Sequence, residues 1–489
     1  MKNKIKLLAI FIATTTAALA DDEVFDGQDV SGEDFSGSSY KNSSWVGVTA
    51  ESTIFSESSN VSNYSDAIFD KSNLSDSKLA YADLQNTSFK GAYLSATDFT
   101  GADLKNANFT NAILKGANLR YTKNLGDTQL RSASNITNIV LDTLNLSNFN
   151  LSGLDLSDVS ISGCDVKDVN FEGSNLSGVN LSSAKHLTGY QLRSATNVTD
   201  MILCYTNLSY ADLSKLDFSN TGFDSATMIG AKFDGAIFSR SSLYDVNLKN
   251  ATFFNATLSN LYWTSANLKN TDLRGAKLTD IKGTAKTQNT IWTDGEIKNF
   301  AMESLDDSLT IRAYVPATSG GAMINAKIAD DASISGGAVL TLEQGAVLEI
   351  ASGKTLSVLD DSEIIFNVDA ATSDATKILL GENSKLVFGS DSKITINLDG
   401  VTSSDDSYTF SVIESAAGAQ VMGTDSLKKE NVILNVNGET FDSSKWTLDF
   451  DSSTGSFNIN VNVPEPAEYA AILGAIAIAF ALKRRCSRK

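Results

Sequence analysis

The sequence has 489 residues, with 39 Lys or Arg against 58 Asp or Glu and a formal net charge of −19. This balance excludes the usual basic nucleic-acid-binding protein, and a hydrophobic content of 42% excludes wholesale disorder. A single histidine, His186, excludes paired-histidine metal sites, and the three cysteines Cys164, Cys204 and Cys486 are too few and too dispersed for a disulfide scaffold.

Residues 1–20 have the features of a secretory signal peptide. Three lysines precede an unbroken apolar run at 7–13, and the run is too short to span a membrane comfortably. Ala18 and Ala20 have the small-x-small spacing of a signal-peptidase site, which predicts a mature chain that begins near Asp21. We therefore expect export.

A large apolar residue recurs at every fifth position between Tyr64 and Leu119. Alanine usually stands two positions earlier, with Asp or Asn between them, as in Ala82-Asp83-Leu84. A period of five fits neither a helix nor a flat strand, so it predicts a solenoid whose units bury their apolar face by stacking. The predicted core columns, in which every fourth apolar position coincides, are Phe69, Phe89 and Phe109; Leu74, Leu94 and Leu114; and Leu84 with Leu104.

This A-[DN]-L-x-x pattern resembles the pentapeptide-repeat family. The resemblance implies a right-handed quadrilateral β-helix with one pentapeptide on each side and four in each coil. Positions such as Phe69 and Phe89 would then stack at the strand spacing of about 4.8 Å. We expect this solenoid to cover 21–283. Large residues such as Leu144 and Phe149 occupy some of the small positions, which predicts wider or distorted coils there.

The five-residue register breaks twice, at 119–146 and at 181–208, and the two breaks have the same length. The two inserts also match each other in sequence, with Gln-Leu-Arg-Ser-Ala at 129–133 and again at 191–195, so they belong to a longer superrepeat. We interpret each insert as a bulged corner or a short helix that leans on the solenoid. The alternative is a ligand-binding ledge that carries Arg131 and Arg193.

The pattern changes after the repeats. Residues 284–321 are predicted to be a transition or linker, and 322–462 show short alternating strands separated by Gly, Asp and Ser. This spacing predicts a second all-β domain, either a β-solenoid or a β-sandwich, with a closing hairpin near its end. The expected fold class is all-β, with cleavable or membrane-inserted segments at both termini.

Residues 463–489 have the features of a second targeting signal. Pro464-Glu465-Pro466 precedes an apolar segment at 469–482, and a basic tail that includes Arg484 and Arg485 follows it. This order resembles the PEP-CTERM sorting signal of Gram-negative bacteria, which implies an exosortase-type processing enzyme. A simple C-terminal membrane anchor is the alternative. Loss of 1–20 and 469–489 would remove eight basic and no acidic residues, leaving a net charge of −27.

No catalytic or cofactor motif is present. The sequence lacks G-x-G-x-x-G, P-loop, G-x-S-x-G and C-x-x-C patterns. His186 aligns with Asn124 of the other insert, so we interpret it as a solvated loop residue. We interpret Cys164 and Cys204 as buried free thiols, with a disulfide between neighbouring coils as the alternative. We predict no cofactor, although calcium on acidic faces formed by stacked residues such as Asp83 and Asp103 stays open as an alternative.

The predicted function is that of an exported, non-catalytic structural or adhesive protein of the cell envelope or extracellular matrix. The predicted location is the cell surface or the exterior, with transient or permanent anchoring in the inner membrane. Expected partners are signal peptidase, the exosortase-type enzyme and either exopolysaccharide or further copies of the chain, with no nucleic acid. Two alternatives remain: a polysaccharide-active β-helix enzyme, and a DNA mimic of the kind known among pentapeptide-repeat proteins.

Overall fold

A computed structural model describes most of the chain between Asp21 and Asn462. The described residues are 21–59, 61–318, 321–359, 361–370, 376–400, 407–423, 429–441, 446–451 and 456–462. They form two compact units. The first comprises 21–251, 256–267 and 277–285, and the second comprises 252–255, 268–276 and the described residues from 286 onward.

The first unit is built from five-residue steps joined by single backbone bridges. Asp103 illustrates the repeat, since it forms parallel bridges with Asp83 on one neighbouring coil and Lys123 on the other. In a few places the bridges extend into short strands, and at the two register breaks the chain forms short helices. They are β1 (Ile54–Ser56), β2 (Lys78–Leu79), α1 (Asp127–Ser132), α2 (Gly189–Ser194), β3 (Ile237–Ser239), β4 (Thr257–Ser259) and β5 (Lys277–Thr279).

One pentapeptide shows how the backbone groups are satisfied. The Phe89 and Gly91 amides donate to the Asn108 and Thr110 carbonyls, at 2.8 and 2.9 Å. The Ala92 amide closes the corner on the Phe89 carbonyl at 3.1 Å. Bonds to the neighbouring coil and to the turn therefore replace the long strands of an ordinary sheet.

The backbone conformation of the corner, such as 89–92, restricts which residues can occupy it. Its third residue has a positive φ, for example 59° at Asn86, 64° at Gly91 and 57° at Asn106. Glycine, asparagine and aspartate enter this left-handed region at the lowest cost, which accounts for their recurrence one position before the small residue. The small residue itself is buried, as at Ala92 and Ala102.

Larger residues at the small position are accommodated without loss of the coil. The regular bridges persist from Asn145 to Asp165, and Leu144 and Phe149 are half-buried. Val159 lies fully inside. The bridging pattern therefore shows no distortion of these coils: valine fits inside, and the longer Leu144 and Phe149 side chains stay partly exposed.

The second unit contains the longer strands. They are β6 (Thr290–Ile291), β7 (Ile297–Lys298), β8 (Ser308–Ile311), β9 (Ala326–Ile328), β10 (Ala332–Ile334), β11 (Val339–Leu342), β12 (Val347–Ile350), β13 (Thr355–Val358), β14 (Glu363–Asp369), β15 (Lys377–Leu380), β16 (Lys385–Phe388), β17 (Lys393–Asp399), β18 (Ser407–Ser415), β19 (Gln420–Met422), β20 (Val432–Val436), β21 (Glu439–Thr440), β22 (Trp446–Asp451) and β23 (Ser456–Asn462). A 3₁₀ turn spans Lys429–Asn431.

Strands β8 to β20 form three sheets in which every third strand pairs in parallel, and β21, β22 and β23 add antiparallel pairings at the sheet edges. Strands β6 and β7 form a separate antiparallel pair. The orders in the three sheets are β8-β11-β14-β17-β20-β21, β9-β12-β15-β18-β23-β22 and β10-β13-β16-β19. The central pairings place Val347 beside Lys377, Thr355 beside Lys385 and Glu363 beside Lys393, so all three sheets pair residues that are the same number of positions apart. A sandwich would need antiparallel sheets, so of the two predicted alternatives the second unit is a parallel β-solenoid. Alternating inward residues fill its core.

The structure also bears on the predicted transition segment and on the predicted closing hairpin. The transition 284–321 is more than a linker, because β8 within it pairs with β11 through Leu309 and Leu340 and buries both side chains. The predicted closing hairpin is confirmed as the antiparallel pair β22 and β23.

Among the described residues no helix has the length and apolarity needed to cross a membrane, and the predicted span 469–482 lies outside them.

Candidate functional site

The predicted core columns lie inside the first unit. The Phe89 ring stacks between Phe69 and Phe109 at centroid distances of 5.4 and 5.3 Å, with both interplanar angles at 11°. Trp45 and Phe25 extend the same column, since Trp45 stacks on Phe69 at 5.5 Å and on Phe25 at 3.8 Å. The predicted leucine columns are also fully buried: Leu74, Leu94, Leu114, Leu84 and Leu104.

The predicted terminal sorting residues fall mostly outside the described chain. Ala18, Ala20, Pro464, Glu465, Pro466, Arg484 and Arg485 all lie there. Asp21 is described, and its Oδ1 accepts a hydrogen bond from the Lys41 amide at 3.1 Å. The aspartate after the predicted cleavage site therefore already belongs to the first coil.

The repeated acidic residues are used as turn acceptors. Asp83 Oδ1 accepts from the Gln85 amide at 3.2 Å, and Asp103 Oδ1 accepts from the Lys105 amide at 3.1 Å. Elsewhere, hydrogen bonds that outweigh the effect of burial, the strongest of them from Ser157, lower the pKa of Asp155. Within the described residues, no group of three or more His, Cys, Asp or Glu could hold a metal ion.

The two matching inserts bind the solenoid through one glutamine each. Gln129 Nε2 donates to the Leu104 and Ala107 carbonyls at 2.8 and 3.0 Å. Gln191 Nε2 donates to the equivalent carbonyls beside the second insert, those of Val166 and Val169, at 2.7 and 3.1 Å. In an uninterrupted coil the carbonyl at the position of Ala107 accepts from a backbone amide of the next coil, as the Ala67 carbonyl does from the Ser88 amide. The glutamine thus replaces the backbone bond that the insert removes.

Both glutamines also cap the first turn of their helices from the third helical position. The Gln129 side-chain oxygen accepts from the Gly126 amide at 2.7 Å, and that of Gln191 accepts from the Thr188 amide at 2.8 Å. The arginines of the inserts are likewise engaged with the solenoid, where Arg131 donates to the Ser152 carbonyl at 2.8 Å and Arg193 pairs with the Asp212 carboxylate. These contacts support the architectural interpretation of the inserts.

A substitution in the second insert tests that interpretation. Gln191→Leu should leave the buried Val169 carbonyl without its donor, and we expect a loss of about 1–3 kcal/mol in the free energy of unfolding. Hydrogen exchange should rise in the amides around α2. Tyr190→Thr in the same helix is the control, because the exposed ring should contribute less than about 0.5 kcal/mol. Equal effects of the two variants would contradict this role.

The lone histidine occupies the predicted solvated position. His186 has a φ of 59° and its Nδ1 lies 2.8 Å from Asp165 Oδ1, while Asn124 of the first insert donates to Asp103 Oδ1 at the same distance. The hydrogen bond from His186 lowers the pKa of Asp165. Since asparagine makes the equivalent contact, imidazole chemistry is not required here.

The two described cysteines differ in their burial. Cys164 is free and fully buried, and this burial raises the pKa of its thiol to about 12. Cys204 is also free but only half-buried, which corrects the expectation that both thiols are enclosed. Its pKa is also raised, first by partial burial.

A groove that the sequence analysis missed lies beside α2. It has a volume of about 740 Å³ and is lined by Glu172, Tyr190, Arg193, Asn207, Tyr210 and Asp212. The residues Tyr190 and Tyr210 are 80% and 79% exposed. A signal for it was available, because Thr128 and Asn148 replace the two tyrosines at the equivalent positions of the first superrepeat.

The second unit contains a buried ion pair that also escaped prediction. Arg274 Nη2 lies 2.7 Å from Asp272 Oδ2, and the two residues are 1% and 0% exposed. The guanidinium also donates to the Ile324 and Arg312 carbonyls at 3.1 and 2.6 Å. The guanidinium carbon lies 5.2 Å from the centre of the Phe254 ring. These donors are directed at acceptors inside the unit, so we assign the pair to folding.

Comparison with known families identifies the repeats. The family model described as pentapeptide repeats matches eight copies over residues 65–95, 92–153, 134–173, 155–185, 202–240 and 241–280. This model describes a repeat rather than a catalytic domain. No curated protein matches the chain.

Several solved structures are similar to this chain. HetL, a pentapeptide repeat protein involved in heterocyst differentiation regulation from the cyanobacterium Nostoc sp. strain PCC 7120, is 18% identical and covers 59% of this chain and 97% of its own, with a TM-score of 0.18. QnrB1, a plasmid-mediated fluoroquinolone resistance protein, is 17% identical and covers 54% and 91%, with a TM-score of 0.15. The PL6 family alginate lyase AlyGC is 8% identical and covers 84% and 78%, with a TM-score of 0.18. All three scores are low, so these likenesses carry no argument about function.

Proposed function

We propose that this pentapeptide-repeat protein is an exported, non-catalytic structural or adhesive component of the cell envelope or extracellular matrix. The observation that supports this proposal is the use of the repeated Asn and Asp residues. Asn63, Asp83 and Asp103 accept turn hydrogen bonds on successive coils, so side-chain oxygens recur along one outer face before Lys123 follows. Such a face suits many weak contacts to a polymer or a neighbouring copy, which multivalency sums.

The acidic surface also suits an extracellular component. With a net charge of −27 after removal of both terminal segments, isolated copies would repel one another and stay soluble. The signal-peptide pattern at 1–20 and the PEP-CTERM pattern at 463–489 supply the route to the surface. We also propose that the coil has the right-handed quadrilateral form that the family resemblance implies.

Cell fractionation with mass spectrometry of both mature termini tests the proposal. We expect a surface or released protein that begins near Asp21 and ends by about Glu468. Detection of Lys489 in protein released from the surface would refute C-terminal processing. A cytoplasmic protein that retains Met1 would refute export altogether.

A second candidate function is DNA mimicry, which the overall excess of acidic residues favours. Residues 21–468 carry a net charge of −27, as a mimic of an acidic polymer requires. A DNA mimic must meet its target in the cytoplasm, whereas the proposed signal peptide would remove the chain from it. Inhibition of gyrase supercoiling by purified protein, together with a retained Met1, would favour this candidate over the first.

A further inference from the structure

We infer that the groove beside α2 binds a neutral, extended β-linked glycan through Tyr190 and Tyr210. This inference rests on the proposed adhesive role and deepens it by naming a polymer and the site that contacts it. The groove of about 740 Å³ is open to solvent along the first unit, and two tyrosine rings line it together with Glu172, Asn207 and Asp212.

The first insert provides an internal comparison that separates folding from binding. It repeats the architectural glutamine and arginine of the second insert, at 129 and 131 in place of 191 and 193. The glutamine contacts to the solenoid carbonyls repeat as well. The two tyrosines do not repeat. Thr128 and Asn148 take their places, so the insert docks on the solenoid without them.

Tyr210 also occupies a conformation that a tyrosine does not favour. Its φ is 61°, a left-handed value that costs a bulky residue more than the asparagine at the equivalent corner, Asn148, with a φ of 65°. A Cβ built on Gly230 would lie 2.8 Å from Tyr210 Cδ1, so the ring lies over that glycine. The glycine lies close to the Cδ1 and Cε1 atoms of the ring, and the tyrosine as a whole stays 79% exposed.

Tyr81 shows what this arrangement alone can explain. It has a φ of 61° and its ring lies over Gly101 in the same manner, but it is 45% exposed and does not line the groove. Packing of the ring over a glycine of the next coil is therefore enough to explain why a tyrosine stands at a corner. It does not account for Tyr190, which is on the helix, 80% exposed, and lines the same groove as Tyr210.

The chemistry of the lining indicates the class of ligand. The negative faces of aromatic rings attract the polarised C–H groups on the flat face of a pyranose. Carboxylate and amide oxygens beside them accept hydrogen bonds from sugar hydroxyls. Although burial opposes it, hydrogen bonds from Ser214 and the charge of Arg193 lower the pKa of Asp212, which keeps this acceptor ionised.

The net charge of the chain and the open shape of the groove restrict the class of glycan further. A net charge of −27 on the proposed mature chain disfavours an anionic polysaccharide. An open groove with two separate rings suits a chain that presents flat faces on successive sugars, as a β-1,4-linked glucan does, better than it suits a single sugar.

Calorimetric titration of the purified protein with cellohexaose tests the inference. We expect binding that the double substitution Tyr190→Thr and Tyr210→Asn weakens at least about tenfold, since both replacements are those of the first insert. The control Tyr81→Asn removes a ring from the same kind of corner away from the groove, and its affinity should match the wild type. Circular dichroism should show all variants folded.

Three outcomes would overturn the inference. They are no binding of cellohexaose at about 10 mM, equal binding by the double variant, and stronger binding of an anionic alginate hexamer. Each leaves the proposed surface location untouched, because that proposal is decided by fractionation and terminal mass spectrometry. Conversely, retention of the chain in the cytoplasm would refute the location without altering the titration.

Discussion

Replacing Phe89 with alanine should reduce the free energy of unfolding by about 3–5 kcal/mol. The ring is fully buried and stacks between Phe69 and Phe109, with a further edge contact to Phe99 at 5.9 Å. Each coil is fixed to its neighbours by backbone bonds on both sides, so the surrounding rings cannot collapse into the space. The lost contacts and the residual cavity therefore add.

The readout for Phe89 should be local as well as global. A solenoid can lose one coil before the rest, so hydrogen exchange of the amides from 69 to 109 is the decisive measurement. Asn86→Gly is the matched control on the same coil, because Asn86 is exposed and its φ of 59° suits glycine. We expect that variant to cost less than about 1 kcal/mol. Comparable protection losses in both variants would contradict the stacked column.

Replacing Arg274 with methionine should cost the second unit about 3–5 kcal/mol. The substitution leaves the Asp272 carboxylate fully buried without its cation, and it removes the donors to the Ile324 and Arg312 carbonyls. Thermal and denaturant unfolding of the purified variant would measure the loss, with hydrogen exchange to localise it. The removal of one partner from a buried pair costs far more than the pair contributes while intact.

Two comparisons make the Arg274 experiment decisive. The double variant Arg274→Met with Asp272→Leu removes both charges and should recover part of the loss. Lys78→Met breaks the pair with Glu57, whose partners are 53% and 38% exposed, and should cost less than about 1 kcal/mol. A single variant at Arg274 that unfolds like Lys78→Met would show that the buried pair has no such role.

The first unit was predictable because its backbone bonding repeats with a fixed period between the register breaks. Each fifth residue meets the same environment, so the columns through Phe89 and Leu94 can be read directly from the sequence. The second unit was less predictable, because its coils vary in length. The pairing of Val339 with Glu363 spans a shorter segment than the next pairing in the same sheet, from Glu363 to Lys393, so no fixed period marks the coils.

The candidate site was hidden for a different reason. A tyrosine at a corner, such as Tyr210, changes neither the five-residue period nor the buried columns. The repeat pattern therefore does not distinguish it from any other corner residue. Its importance depends on the groove beside α2, which arises only when the helix docks through Gln191. Likewise, the pairing of Arg274 with carbonyls distant in the sequence, those of Arg312 and Ile324, follows from the fold rather than from local spacing.

The superrepeat gives the first unit an unusual freedom to change its length. Each copy carries its own helix and its own glutamine clamp, through Gln129 in one and Gln191 in the other. A single in-frame loss of 124–185 would join Lys123 to His186 and bring the second clamp to the solenoid carbonyls that the first one uses now. Recombination between such copies could therefore shorten or extend the protein in whole coils, and evolution could add a binding groove to one copy while its twin keeps the scaffold intact.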